Sequence, residues 1–252
     1  MKLAAIYNAW DGIELLPYSI ASIRNHVDVI IIVWQERSNW GELNPEIRQW
    51  LDRSNSYDIH IQMEPGPGLG STRFAMKHET AKRQAGINKA IELGCTHFIG
   101  MDTDEIYRPS EFGLGKLVAK ANPTTSYAVP IQVYYKSPTL CLDKIDTTYV
   151  PFICPLPANT GMRKTDILID PTRRTSDSYT ILPNVIMHHY SWVRINGVES
   201  KTRNSTARNN IHNRPKLIEE WDNAEEGTVL REIYPGYTLI KTANEFHVPE
   251  WS

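Results

Sequence analysis

Thr96-His97-Phe98-Ile99-Gly100-Met101 runs directly into Asp102-Thr103-Asp104-Glu105, and this junction decides the fold. The first half lacks the apolar–polar alternation of a strand with one wet face. It therefore reads as a strand buried on both faces, as in a parallel sheet covered by helices. Working outward, Lys2–Tyr7, Asp28–Trp34 and Tyr57–Met63 read as further strands. Helical signals lie between them. Ile13–Asn25 carries Ile13, Leu16, Ile20 and Ile23 on one face. Asn44-Pro45-Glu46 opens a short helix with an Asn cap and Pro at its first position, burying Ile47, Trp50 and Leu51. Another helix is expected from about His78 to Leu93, stopped by Gly94. Strands spaced by helices predict the α/β class, a Rossmann-like, mostly parallel central sheet flanked by helices. In such sheets the ligand crevice lies beyond the carboxyl ends of the strands, and Asp102 stands at one of them.

Beyond residue 122 the pattern changes. Tyr127–Tyr135 and Val185–Val193 read as strands, separated by Pro- and Thr-rich sequence without helical periodicity. Residues 199–214 are polar and basic, with Lys201, Arg203, Arg208 and Arg214 forming a strip, and a short helix and aromatic tail follow from Leu217. No repeat or linker divides the chain, so one domain is expected over 1–215, with 216–252 packing back on it.

The composition, 41% hydrophobic and 22% charged over 252 residues, is that of an ordinary globular protein. A net charge of −2 exerts no global pull on nucleic acid, which stays open only as an acceptor. The longest apolar run, Val29–Trp34, is too short to span a membrane, and Met1-Lys2 leads into strand sequence rather than a secretory signal. Cys95, Cys141 and Cys154 are odd in number and lack close pair spacing, which suits a reduced, cytoplasmic compartment. Glu64-Pro-Gly-Pro-Gly-Leu-Gly70 is a loop but not a phosphate loop, because no Gly-Lys-Ser/Thr follows.

Three carboxylates crowd into Asp102-Thr103-Asp104-Glu105. In extended chain Asp102 and Asp104 point the same way, and like charges so placed are costly unless a cation shares the site. Carboxylate oxygens suit Mg²⁺ or Mn²⁺, which bind few protein acids plus substrate phosphates. The plainer alternative is a solvated acidic turn that caps the segment from Pro109.

The stretch Glu79-Thr-Ala-Lys-Arg83-Gln-Ala-Gly-Ile-Asn-Lys-Ala-Ile-Glu-Leu-Gly94, running into His97–Glu105, resembles GT-A type glycosyltransferases related to family 2. There a helix bearing basic residues precedes a buried strand that ends in Asp-x-Asp-Glu. The resemblance implies a metal-dependent enzyme that moves a sugar from a nucleoside-diphosphate sugar, uridine-linked, to a hydroxyl acceptor. That acceptor is a glycan, a lipid-linked sugar, a protein or a modified nucleic-acid base. Residues 1–122 become the donor half and 123–215 the acceptor half. Asp102 contacts ribose or metal, Asp104 holds the metal that bridges the diphosphate, Arg83 faces the nucleotide, and Glu105 orients a neighbouring group.

In the loop Tyr7-Asn8-Ala9-Trp10-Asp11-Gly12 the resemblance places Tyr7, Asn8 and Asp11 at the base, with Glu36 past the second strand. Relatives commonly show Asn-Glu in that loop, whereas here the acid comes later. Adjacent His188 and His189 on a strand face opposite sides, so at most one reaches a shared metal. His189-Tyr-Ser-Trp-Val-Arg194 resembles a His-Tyr-x-x-Val-Arg run of some relatives, which implies His189, over His188, as the late ligand. Lys201 follows it near the diphosphate. Candidates for the base that deprotonates the acceptor are Asp143, Asp146, Asp166 and Asp170, with Asp166 the choice. Two rivals stand beside this reading. A nucleotidyltransferase would present a Gly-rich loop near the first strand, and a non-catalytic nucleotide-sugar-binding module would not hydrolyse the donor.

Overall fold

The computed structural model describes residues 1–66, 69–161, 163–205, 211 and 213–251. Strands β1 (Leu3–Ala9), β2 (Val29–Trp34), β3 (Ile59–Gln62) and β4 (His97–Asp102) run parallel in the order β3-β2-β1-β4. The connections carry helices α1 (Leu16–Ile23), α2 (Glu46–Arg53) and α3 (Thr72–Glu92). The mixed α/β class with helices flanking a parallel sheet is therefore what this chain adopts. Period-two alternation divides β2 between two cores. Ile30 and Ile32 pack with Leu16, Ile20 and Ile23 of α1, while Ile31 and Val33 pack with Ile87 and Ala90 of α3. Covering both faces explains why β1, β2 and β4 do not alternate in hydropathy, whereas the edge strand β3, Ile59-His60-Ile61-Gln62, does.

Helix α3 starts well before His78, because Ser71 caps it by accepting the Phe74 N–H at 3.2 Å. Its first turns bury only Ala75 fully and carry no apolar stripe, so hydrophobic periodicity does not mark them. Gly86 brings α3 onto the sheet, since a Cβ there would meet Ile6 Cγ2 at 2.2 Å.

The second half begins with β5 (Glu105–Tyr107) and α4 (Pro109–Ala121). Helix α4 has no counterpart among the expected elements. Gly115 packs under Phe152 while Leu114 and Leu117 face outward, which blurs any apolar stripe. Then come β6 (Tyr127–Tyr135), β7 (Leu140–Leu142), β8 (Tyr149–Pro151), β9 (Cys154–Pro155), β10 (Thr180–Ile181) and β11 (Met187–Trp192). The chain closes with α5 (Glu199–Asn204), α6 (Arg214–Asp222) and β12 (Leu239–Lys241). Strand β9 pairs antiparallel with β4 and completes the first sheet. A second sheet, β12-β7-β6-β11-β5, is mostly antiparallel, because tight connections such as 136–139 cannot make a parallel crossover. Leu217, Ala224, Leu230 and Leu239 join the same core as Ile30 and Ile32. Among the described residues no helix is long and apolar enough to cross a membrane.

Candidate active site

A cleft of about 260 Å³ opens over the carboxyl ends of β1 and β4, where Asn8 and Asp102 are register partners. Of the residues singled out from sequence, Asn8, Asp11, Arg83, Asp102, Asp104, His189 and Lys201 line it. Tyr7, Glu36, His188 and Asp166 do not. Tyr7 leaves the opposite face of β1 and lies buried, its hydroxyl 3.0 Å from Ser19 Oγ. Gln35, its side chain buried, lines the cleft where Glu36 was expected. His188 lies behind the sheet with Nδ1 3.0 Å from Tyr134 OH, and Asp166 is exposed away from the cleft. Arg208 lies outside the described residues.

The cation that shares the acidic strand end is supplied by side chains. Arg83 of α3 donates from Nη2 to both oxygens of Asp102 at 2.9 and 3.2 Å. Arg194 donates from Nη2 to Asp104 Oδ2 at 2.6 Å, and Lys201 Nζ reaches the same oxygen at 3.4 Å. The antiparallel register of β11 on β5 sets His189 opposite Glu105, and the Tyr190 N–H donates to Asp104 O at 2.8 Å. This register leaves His189 Nε2 3.5 Å from Asp104 Oδ1. The amino-terminal loop closes on the same group. Gly12 has φ +72°, and a Cβ there would meet Thr103 Oγ1 at 2.6 Å and Arg194 Nη1 at 3.0 Å. Thr103 in turn donates to Asp11 O at 2.6 Å.

These contacts set the charge states. Burial pushes the Asp104 carboxyl up, but Lys201, Arg194 and His189 together hold it well below the usual carboxylate range. Burial likewise opposes ionisation of Asp102, and Arg83 and Arg173 outweigh it. Lys82, buried one position before Arg83, is pulled down to about 8 by desolvation against the opposing charge of Glu79.

A divalent ion fits one corner of this arrangement. Asp104 Oδ1 and His189 Nε2 offer a hard oxygen and an imidazole nitrogen side by side on the cleft wall. Both Asp102 oxygens are already engaged by Arg83. Among the described residues no group of three His, Cys, Asp or Glu side chains gathers for a metal. Two protein ligands leave the remaining positions to phosphate oxygens and water, the usual manner of Mg²⁺ and Mn²⁺.

No family model matches the chain, and no curated protein matches it. Solved structures do. Similarity to S. aureus TarS is 14% in identity, over 53% of this chain and 22% of that one, with a TM-score of 0.33. TarS 1-349 in complex with UDP-GlcNAc matches at 13% identity over 53% of this chain and 34% of that one, with a TM-score of 0.33. GalNAc-T7 with UDP, GalNAc and Mn²⁺ matches at 10% identity over 77% of this chain and 44% of that one, with a TM-score of 0.49. The chain thus spans less than half the length of each of these proteins.

Sequence reasoning missed Gln35, Ser38, Asn39, Lys82 and Asn204 of the lining, and it weighed Asp170 without choosing it. Asp170, one of several acids weighed as a base, lies on the cleft wall, where its Oδ1 accepts from Thr172 N at 2.7 Å and Thr172 Oγ1 at 2.8 Å. The following Arg173 is buried against Glu105, and both Arg173 nitrogens of the fork hold that carboxylate. Nothing local in Asp170-Pro171-Thr172-Arg173 announces a partner 68 residues away, although Asp-Pro-Thr is a recognisable capped turn.

Proposed function

We propose that this chain is a GT-A type glycosyltransferase that uses Mn²⁺ or Mg²⁺ and a uridine-diphosphate sugar, with a hydroxyl compound as acceptor. The observation that carries the reading is a pair of half-satisfied arginines. Arg83 and Arg194 are each more than nine-tenths buried and each hold one acid of the motif, yet both keep Nε and Nη1 without a hydrogen-bond partner. Buried guanidinium N–H groups without acceptors are costly, and diphosphate oxygens are acceptors that suit their planar fork. The lining sets five carboxylates (Asp11, Glu79, Asp102, Asp104, Asp170) against four cations (Lys82, Arg83, Arg194, Lys201). A diphosphate adds to the negative excess, and a divalent ion offsets it.

Asp104 and His189 are the residues that would hold the ion, which supplies charge neutralisation to a departing diphosphate. Arg83, Arg194 and Lys201 bind and orient the phosphates from the protein side. Asp170 takes the role expected of Asp166 from sequence, because Asp170 lines the cleft and Asp166 does not. Its Oδ1 is tied down by Thr172, which leaves Oδ2 to accept the proton of the attacking hydroxyl. As that hydroxyl bonds to the anomeric carbon, the bond from the same carbon to the diphosphate breaks.

A panel of uridine, guanosine, cytidine and thymidine diphosphate sugars with Mn²⁺, read as released nucleoside diphosphate, tests the reaction. Calorimetry with the four nucleoside diphosphates tests the base. We expect release from a uridine donor and tightest binding of uridine diphosphate. Tightest binding of another nucleotide changes the donor, and neither binding nor release from any of them removes the reading. Full turnover in excess chelator, with metal content verified as nil, removes the metal from it.

A further inference from the structure

The acceptor-side segment that carries Asp170 is fastened to the acidic motif by one side chain. Arg173 ends the short turn Pro171–Arg173, and its backbone N–H donates to Asp170 O at 3.0 Å. Its guanidinium grips both oxygens of Glu105 and donates from Nη2 to Gly100 O at 2.9 Å. It also stands 3.9 Å from Asp102 Oδ2. Glu105, fully buried, in turn accepts the Asp102 N–H at 3.1 Å. One continuous chain of bonds thus runs from the backbone of Asp102, through Glu105 and Arg173, to Asp170.

Stability alone is a poor reason for this pair. Two charges taken out of water lose most of what their attraction returns, and an apolar pair of similar volume does as well or better. What the pair supplies is position. The planar fork fixes Arg173 in two dimensions against the strand end, which a single ammonium cannot do. Asp170 is three residues back on a turn its own carboxylate caps, so its placement follows that of Arg173.

We propose that Arg173, held by Glu105, is a positioning residue that sets Asp170 at the correct distance from the donor held by Asp102 and Asp104. The proposal rests on the glycosyltransferase reading, with Asp170 as proton acceptor. Proton transfer tolerates little misplacement, so a slack Arg173 slows turnover without loosening the donor.

The test uses the full chain with Mn²⁺ and the member of a four-sugar panel that it hydrolyses: UDP-glucose, UDP-galactose, UDP-N-acetylglucosamine or UDP-N-acetylgalactosamine. Uridine diphosphate binding is measured separately by calorimetry. In R173M we expect kcat for hydrolysis to fall tenfold or more, while uridine diphosphate affinity stays within about threefold. R173K recovers part of the loss. D170N lowers kcat at least as far, and the double variant R173M/D170N is no slower than D170N alone, since both act through one group. Unchanged kcat in R173M, losses that multiply in the double variant, or nucleotide affinity that falls in step with kcat each overturn the proposal. If R173M does not fold, the same cycle is run with R173K and D170N, which leave a charge on the fork or leave the fork untouched. A wild-type chain that neither binds nor hydrolyses any donor overturns the glycosyltransferase reading itself. An active wild type with multiplying losses overturns only the positioning role.

Discussion

His188 and His189 leave opposite faces of β11, one into a packed aromatic layer and the other onto the cleft wall 3.5 Å from Asp104 Oδ1. Losing a nitrogen ligand weakens an ion that has few protein ligands more than losing a packed ring does. His189→Ala should therefore raise the Mn²⁺ dissociation constant, measured by calorimetry with uridine diphosphate present, by tenfold or more, about 1.4 kcal/mol. His188→Ala should leave that constant alone and lower the melting temperature. The reverse pattern would mean that the metal lies on the other face of the sheet. Asp104→Asn abolishes turnover on the same reading, and it also has a structural cost. The acid faces Arg194 at 2.6 Å and Lys201 at 3.4 Å, and its removal strands the buried Arg194 and the half-buried Lys201. We expect a stability loss on the order of 3 kcal/mol by urea denaturation, and an unchanged midpoint would show that these cations reach solvent. At this scale the sequence spoke through spacing. Two adjacent histidines on a strand cannot share a face, which follows from the period of extended chain alone. Asp102 and Asp104 do reach one cleft, but through the turn Thr103-Asp104 between β4 and β5 and not through extended chain. Arg83 and Lys201, partners of those acids, were reached through the resemblance, whereas Arg173, which holds Glu105, was illegible because charge pairing across 68 residues leaves no local trace.

Helices and strands were legible where one face is apolar and silent where a glycine replaces a side chain. Helix α3 shows both. Its second half was marked by Ile87, Ala90 and the stop at Gly94, whose φ is +70°. Its mid-length Gly86 gave no sign that the helix there sits flush on β1 and β2. An alanine at position 86 should gain up to about 1 kcal/mol of helix propensity. Its Cβ, however, would stand 2.2 Å from Ile6 Cγ2 and 3.2 Å from Val33 Cγ2, both on a sheet with no room to yield. Overpacking of this kind costs about 1 to 3 kcal/mol, so the clash wins and Gly86→Ala should lower the urea midpoint. A higher midpoint would mean that α3 slides outward. Since Lys82 and Arg83 sit one turn earlier on the same face, such a slide should also weaken uridine diphosphate binding. The second sheet was legible only as two strands, because β5, β7, β8, β10 and β12 are each two or three residues long and too short to display a period.

Across the whole molecule the C-terminal segment closes over the side of β11 that faces away from the cleft. Glu245 forms a fork with Arg108 at 2.5 and 3.0 Å, Phe246 meets the His188 ring edge-on at 4.8 Å, and Val248 is fully buried. Tyr134 and Tyr190 stack at 4.2 Å beneath them. His188 is thereby sealed, and burial, aided by the nearby Arg108 charge, pulls its imidazole down to about 3. An unfolded histidine titrates near 6.5. Between these two values the unfolded chain binds a proton that the folded chain refuses, so stability rises with pH across that window. It falls as pH drops below about 6.5, by up to about 1.4 kcal/mol per pH unit from this group. Carboxylates such as Asp58 and Glu64, whose folded values are lowered, add their own acid loss, but only as pH approaches 4. His26, His78 and His97 are also lowered by burial and share the window, so urea denaturation at pH 7 and pH 5 isolates the His188 imidazole through the comparison of wild type with His188→Gln, which keeps a polar partner for Tyr134. We expect the variant to lose clearly less stability than wild type between those two pH values. Phe246→Ala, by letting water reach the ring, should fall between them. Equal losses in wild type and His188→Gln would mean that His188 takes up its proton as freely in the fold as in the unfolded chain, with the tail too loose to exclude water from it.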